Sequence, residues 1–142
     1  MIVKDFMQKD FMVVSTRSSL RTIAEVMIQK KVETVFVVEN EKVLGVLGIR
    51  DLFTLPIPAS FGGPMQRQVE ESLINRWTET PVENLMNPDV IRIPEDYPLM
   101  LAAEMMVNRG KHPLAVMQGE KMVGTIDRRD IVQALLMLNT QK

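Results

Sequence analysis

Two aspartates in matching sequence contexts are the residues of this chain best suited to bind a ligand. Asp51 closes the stretch GVLGIRD at 45–51, Asp130 closes GTIDRRD at 124–130, and the two lie 79 positions apart. Each stretch follows a run typical of a β-strand and leads into one typical of a helix. A carboxylate in the first turn of a helix also interacts favourably with the helix dipole, by about 0.3–1 kcal/mol. The helix dipole accounts for one such aspartate more readily than for two in equivalent positions. Two hypotheses remain: the two turns bind a ligand, or the protein is a scaffold that pairs with other proteins and binds no ligand.

Composition and charge exclude several other classes of function. The chain has 142 residues, of which 46% are hydrophobic and 25% charged, and its net charge of −1 gives no global attraction to nucleic acid or an anionic membrane. The absence of cysteine excludes disulfides, a thiolate nucleophile and thiolate metal sites. No apolar run approaches the roughly 20 residues of a membrane span, and the charged N-terminus MIVKDFMQKD is unlike a signal peptide. We therefore expect a cytoplasmic protein without membrane association.

The two aspartate stretches belong to an internal repeat that covers most of the chain. At the offset of 79, without a gap, the identical pairs include Val3/Val82, Met7/Met86, Leu20/Leu99, Ala24/Ala103, Met27/Met106, Val37/Val116 and Gly45/Gly124. A duplication of this kind predicts one structural unit at 1–55 and a second at 81–142, joined by a segment at 56–80 without a counterpart.

Each repeat has the pattern of a β-α-β-β-α unit. In the first, short apolar runs predict strands at 11–14, 35–38 and 43–49, and a broad apolar face predicts a helix at 20–31. A further helix containing Asp51 is expected to stop before Pro56. The second repeat predicts strands at 90–93, 114–117 and 122–126 and helices at 99–109 and 128–138.

The joining segment has a different character from the repeats. Residues 55–64 contain several prolines and glycines and predict a loop. Residues 65–77 predict a helix with Val69, Leu73 and Trp77 on one stripe. This helix either packs against the sheet or covers the entrance of a ligand site.

The duplicated β-α-β-β-α unit, ending in glycine-x-x-(hydroxyl)-x-x-aspartate, resembles the CBS domain, and two such units in tandem resemble a CBS pair, or Bateman module. The openings VKDFM and VENLM are similar to the start of the family's domains. The resemblance implies an α/β (α+β) fold with two units related by pseudo-twofold symmetry, sheets packed together and helices outside. In this family the clefts between the halves often bind AMP, ADP, ATP or S-adenosylmethionine.

The resemblance also assigns binding roles by position. The aspartate that holds both ribose hydroxyls matches Asp51 and Asp130, since a carboxylate accepts two hydrogen bonds at once. The hydroxyl residue three positions earlier matches Gly48 and Asp127, and neither is Ser or Thr. The remaining matches are the backbone that reads the adenine edge (Ser15 and Ile93), the apolar wall of the base (Val32, Val46 and Ile126) and the entry of the second strand (Glu33, Lys111 and His112).

The residue at the hydroxyl position predicts a difference between the two pockets. Asp127 is expected to cap the following helix and to occupy the N-terminus that a phosphate would otherwise use. With Glu33 facing the same cleft, the Asp130 pocket would be acidic and would accept adenosine, S-adenosylmethionine or a metal-bound nucleotide.

Gly48 instead leaves room for close approach of a ligand. If Lys111, His112 or Arg50 lies near it, the Asp51 pocket would accept phosphate. We therefore expect that a phosphorylated adenosine ligand, if it binds in only one cleft, binds at Asp51.

The leading hypothesis is a stand-alone regulatory protein that binds an adenosine-type ligand and signals to an unidentified partner by conformational change. The alternative is a ligand-free scaffold for dimerisation and docking; a homodimer is expected in both cases. We expect no enzymatic activity and no required cofactor, because the chain has no phosphate loop, metal-ligand cluster or nucleophile–base set. Nucleic-acid binding is not expected, because there is no basic stripe with interleaved aromatic residues.

Overall fold

The structure is a computed structural model that describes residues 1–54 and 64–140. The strands are β1 (Val13–Val14), β2 (Thr34–Glu39), β3 (Lys42–Gly48), β4 (Arg92–Pro94), β5 (Leu114–Gln118) and β6 (Lys121–Ile126). The first repeat forms a sheet in the order β1-β2-β3 and the second a sheet in the order β4-β5-β6. β1 and β2 are parallel, as are β4 and β5, and β5 and β6 are antiparallel. The predicted mixed α/β fold class is confirmed.

The helices of the repeats begin at the predicted residues, and their ends lie within two residues of the predictions. They are α1 (Leu20–Lys30), α4 (Leu99–Arg109) and α5 (Arg128–Thr140). The Ser19 side chain accepts a hydrogen bond from the Thr22 N–H at 3.1 Å and caps α1. Gly110 ends α4 with a φ of 61°, a conformation that glycine adopts without strain. In the first repeat, the helix predicted around Asp51 is a single 3₁₀-helical turn (Ile49–Leu52), because Arg50 O accepts from the Phe53 N–H three residues on.

Two further helices follow β3 and precede β4 in the sequence: α2 (Pro64–Glu79) and α3 (Val82–Leu85). The half-buried Trp77 of α2 donates its indole N–H to Leu52 O at 2.7 Å. α2 is thus joined to the turn that contains Asp51, a contact that fits both predicted roles of this helix. Residues 55–63 of the predicted loop lie outside the described part of the chain.

The residues group by mutual contact into two compact units, each made of several chain segments. One, the Asp130 unit, comprises Met1–Met12, Glu39–Leu44 and Asp89–Lys142; the other, the Asp51 unit, comprises Val13–Val38 and Gly45–Pro88. The opening segment of the first repeat, residues 1–12, therefore belongs to the unit that contains Asp130. The opening segment of the second repeat, residues 82–88, belongs to the unit that contains Asp51. The compact units and the sequence repeats have different boundaries.

Glycines in the third strand of each repeat make this exchange sterically feasible. A Cβ at Gly124 would lie 2.9 Å from Met7 Sδ and 3.0 Å from Gln8 O, and a Cβ at Gly45 would be as close to Met86 and Asn87. The opening segments therefore contact β6 and β3 at positions where only glycine leaves enough room.

Candidate functional site

Both aspartates fold back onto the start of their own turn. Oδ2 of Asp51 accepts a hydrogen bond from the Gly48 N–H at 2.8 Å, and Oδ2 of Asp130 accepts one from the Asp127 N–H at 2.8 Å. The residue three positions earlier thus holds the carboxylate through its backbone, which any side chain permits. This explains why glycine and aspartate occupy equivalent positions in the two turns.

The second carboxylate oxygen distinguishes the two sites. Oδ1 of Asp130 accepts a hydrogen bond from the Gln8 side-chain amide, Nε2, at 2.8 Å, and Asp130 is only 8% exposed. Asp51 is half-buried, and among the described residues its carboxylate receives only the bond from Gly48. The sequence prediction did not include Gln8. The available signal was that the offset of 79 aligns Gln8 with Asn87, so that each opening methionine is followed by a residue with a side-chain amide.

Asp127 occupies the beginning of α5, as the sequence predicts. Its Oδ1 accepts from the Arg128 N–H at 2.7 Å and lies 3.2 Å from His112 Nδ1. His112 was considered as a residue near the Asp51 pocket. In the structure it belongs to the Asp130 unit, where it contacts Asp127. The turn contains the carboxylates of Asp127 and Asp130, with the His112 imidazole beside the first of them.

Lys111 is also placed differently from the expectation, and Glu33 contacts the Asp51 turn through its backbone. The Lys111 ammonium pairs with the Asp89 carboxylate and donates to Asp89 O at 3.1 Å, within the Asp130 unit. The hydrogen bond from Lys111, then its charge and that of Arg109, lower the pKa of Asp89. Glu33 O accepts from the Ile49 N–H at 2.8 Å. The backbone of Glu33 therefore adjoins the Asp51 turn, and a role of its carboxylate at the Asp130 pocket stays a prediction.

Ile93 is not the structural counterpart of Ser15. Val14 pairs with Val37 in the first sheet and Ile93 with Val116 in the second, and Val37 and Val116 are themselves equivalent in the repeat. Ile93 therefore takes the place of Val14 and is buried in the core, and the counterpart of Ser15 is Pro94, which has no backbone N–H. The residue equivalent to Ser15 in the Asp130 unit therefore has no backbone N–H to donate to an adenine edge.

The Ser15 backbone is itself engaged in a turn. Its N–H donates to Ser18 Oγ at 3.1 Å, and its carbonyl accepts from the Ser18 N–H at 3.1 Å. A ligand that reads this N–H would have to displace the Ser18 hydroxyl, which can rotate away.

The predicted apolar wall is divided between the units. Val32 and Val46 are half-buried and lie in the Asp51 unit, whereas Ile126 is fully buried in the core of the Asp130 unit. That core also contains Val3, Ile91, Leu99, Ala102, Met106, Leu114, Val116 and Ala134. The Ile126 side chain therefore packs in the core next to the Asp127 turn and is not exposed to a ligand.

Two cavities of the Asp130 unit are large enough for a small molecule. One of about 480 Å³ is lined by His112, Arg128 and apolar residues of α4 and α5, and one of about 560 Å³ by Lys42, Arg92 and Glu120 with their neighbours. Neither is lined by an aspartate turn's carboxylate, so cavity size alone does not identify the site. In residues 1–54 and 64–140, no group of three or more His, Cys, Asp or Glu could hold a metal ion, and no helix is long and apolar enough to cross a membrane.

Sequence comparison identifies the family. The CBS domain family matches residues 3–57 and 82–137, more than half of the chain. A curated relative, the uncharacterized 17.7 kDa protein in the bps2 3′ region of Acidianus ambivalens, is 31% identical over 78 residues, which are 54% of this chain and 48% of that protein. The chain thus spans about half the length of this curated relative.

Solved structures share the fold over nearly the whole chain. The CBS-pair protein CBSX2 from Arabidopsis thaliana has a TM-score of 0.82 at 24% identity, covering 98% of this chain and 96% of its own. CBSX2 in complex with AMP has a TM-score of 0.75 at 23% identity, covering 97% and 98%. The CBS domain pair of MJ0100, in complex with 5′-methylthioadenosine and S-adenosyl-L-methionine, has a TM-score of 0.71 at 19% identity, covering 95% and 99%. Together with the family match to both repeats, this fold shows that the chain belongs to the CBS domain family, as a tandem pair of CBS domains.

Proposed function

We propose that this CBS pair is a regulatory protein that binds an adenosine-type ligand at its aspartate turns. Ligand binding changes the conformation of the protein, and a partner recognises this change. The observation that carries the proposal is the repeated turn geometry, in which a backbone N–H at 2.8 Å holds Oδ2 of each aspartate in place. AMP bound to CBSX2 and S-adenosyl-L-methionine bound to the MJ0100 pair support the class of ligand. The protein acts by binding and does not catalyse a reaction.

The geometry of the Asp51 turn suits a sugar with two neighbouring hydroxyl groups. Because Gly48 holds Oδ2, the carboxylate does not need to be ordered by the ligand, and its remaining lone pairs can accept from both hydroxyls. Hydrogen bonds to a charged acceptor contribute more than bonds between neutral groups, about 1.5–3 kcal/mol each. A base would pack on the exposed parts of Val32 and Val46 in the same unit.

The regulatory step requires that the ligand binds one arrangement of the protein more tightly than another. A ligand shifts a conformational equilibrium only by its differential affinity for the two states. The partner would recognise the arrangement that the ligand favours, and by linkage the partner would change the ligand's affinity by the same factor.

Titration calorimetry of the purified chain against AMP, ADP, ATP and S-adenosylmethionine tests the proposal. We expect saturable heat with at least one ligand, and an increase of Kd by about 10- to 150-fold in Asp51→Asn, which loses a charge-assisted bond. Asparagine keeps an acceptor for the Gly48 N–H, so the turn is retained. Glu71→Gln, which removes an exposed carboxylate of α2, is the matched control and should bind as the wild type. No heat and no change in melting temperature with any of the four ligands would contradict the proposal.

A second candidate, a dimerising scaffold without a ligand, is favoured by the exposed apolar face of α5. Val132, Leu135 and Leu136 form a stripe at helical spacing and are 56%, 49% and 62% exposed. We expect a homodimer by light scattering, dissociated by Leu136→Glu and retained in Gln133→Glu, which adds the same charge outside the stripe. The scaffold function itself requires that the aspartate variants leave partner binding unchanged; a ligand-dependent change in assembly would contradict it.

A further inference from the structure

Each oxygen of the Asp130 carboxylate already accepts one hydrogen bond from the protein itself. Oδ2 accepts from the Asp127 N–H and Oδ1 from the Gln8 amide, both at 2.8 Å. Asp130 is 8% exposed, whereas Gln8, which lies over it, is exposed. An ionised carboxylate only accepts hydrogen bonds, so the group of Gln8 that faces it must be the amide nitrogen. The glutamine side chain therefore covers the carboxylate from the solvent side.

The backbone of Gln8 is fixed in the position that this contact requires. The Gln8 N–H donates to Thr125 O at 2.8 Å and the Thr125 N–H donates to Gln8 O at 2.9 Å, which attaches the opening segment to β6. Met7 packs on Gly124 directly beside this pair. Because the backbone is held by both hydrogen bonds, the Gln8 amide reaches Asp130 without ordering a flexible backbone segment, and the entropic cost is confined to the rotamers of its side chain.

The equivalent position in the Asp51 unit has a shorter side chain. Asn87 forms the same pair of backbone hydrogen bonds, here with Val46, at 2.8 and 2.9 Å. Asparagine has one methylene fewer than glutamine, so from the same backbone position its amide ends closer to the strand. Asp51 is half-buried and accepts only from Gly48 among the described residues. The two repeats thus differ at one side chain that decides whether the aspartate is covered.

We propose that Gln8 determines which of the two aspartate turns binds a ligand: its amide occupies the acceptor that a ribose hydroxyl needs at Asp130, so that the chain binds one adenosine-type ligand, at Asp51. The inference rests on the proposed function and adds the residue that controls occupancy. Binding at Asp130 would require the ligand to break a charge-assisted hydrogen bond and to uncover a buried carboxylate. The bond alone weakens binding there by about 10- to 100-fold.

Calorimetry with AMP, and separately with S-adenosylmethionine, tests the assignment on the full chain. We expect one site per chain in the wild type and two in Gln8→Ala. The double variant Gln8→Ala/Asp51→Asn should bind about 10- to 100-fold more tightly than Asp51→Asn alone, because its remaining site is the uncovered Asp130. Gln8→Asn, which copies the residue at 87, should behave as Gln8→Ala. Asn87→Gln should weaken the wild-type site by a similar factor, because it adds the missing methylene next to Asp51.

The possible results separate this inference from the function on which it rests. Two sites of equal affinity in the wild type, or a double variant no tighter than Asp51→Asn, would overturn the role of Gln8 and leave the proposed function standing. No binding in any variant would overturn both. The contact is also testable without a ligand: the side-chain amide resonances of Gln8, identified by their loss in Gln8→Ala, should shift in Asp130→Asn. Unchanged resonances would show that the covering hydrogen bond is absent in solution.

Discussion

Replacing Gly45 by alanine measures how tightly the opening segment of the second repeat packs on β3. The new Cβ would lie 2.7 Å from Met86 Sδ, 2.9 Å from Met86 Cγ and 3.0 Å from Asn87 O. The methionine side chain can rotate, but the Asn87 carbonyl cannot, because it accepts from the Val46 N–H at 2.9 Å and the Asn87 N–H donates back to Val46 O at 2.8 Å. Alanine therefore strains or breaks this pair of hydrogen bonds.

The expected loss follows from two opposing effects. Overpacking of a fitted contact costs about 1–3 kcal/mol. The reduced freedom of the unfolded chain offsets about 0.4–1 kcal/mol of this. We expect Gly45→Ala to lower the free energy of unfolding by about 0.6–2 kcal/mol, which corresponds to a decrease in melting temperature of roughly 2–10 °C.

Gly48, three positions further along the same strand, provides the matched control. A Cβ there would meet only Asp51 Oδ2 at 3.7 Å and Glu33 O at 3.9 Å, and its φ of −96° is open to any residue. Gly48→Ala should therefore leave the melting temperature unchanged or raise it slightly. Thermal and urea unfolding followed by circular dichroism measure both variants, and Gly124→Ala should lose stability as Gly45→Ala does. Equal melting temperatures for Gly45→Ala and Gly48→Ala would refute the packing argument.

Two further predictions concern single contacts. Because Lys111 lowers the pKa of Asp89, their pair adds stability above the unfolded-state pKa of aspartate, about 3.9, and this stability is lost as the pH falls through the lower folded value. Lys111→Met should raise the pKa of Asp89 in an NMR titration of its carboxyl carbon, and an unchanged value would contradict the assigned cause. Trp77→Phe removes the donor to Leu52 O and should lower the free energy of unfolding by about 0.5–1.5 kcal/mol, measured with urea and circular dichroism; an unchanged midpoint would show that this hydrogen bond does not contribute.

Local signals predicted the elements of the repeats well. The helix predicted at 99–109 is observed as Leu99–Arg109, because its apolar spacing and the following Gly110 act within a few residues of the helix itself. The first strand of each repeat was less predictable: β1 covers only Val13–Val14 of the predicted 11–14, and β4 covers Arg92–Pro94 where 90–93 was predicted. The pairing of Ile93 with Ser15 failed because it departs by one residue from the repeat offset of 79, and such a displacement exchanges the two faces of a strand. The ladder register agrees with the offset and pairs Ile93 with Val116 as it pairs Val14 with Val37.

The sequence by itself determined that this chain is a duplication with two equivalent aspartate turns, because the repeat offset and the cap residues are local properties of the chain. It also separated the two turns, but by Gly48 and Asp127, which donate the same backbone hydrogen bond to their aspartates. Only the tertiary structure showed that the difference lies at Gln8, which is 122 positions away from Asp130 along the chain. The opening segment of the first repeat reaches Asp130 because it packs against Gly124 and Thr125 of the second repeat. Contacts of this kind depend on how segments distant in sequence pack together, which no local pattern of residues encodes.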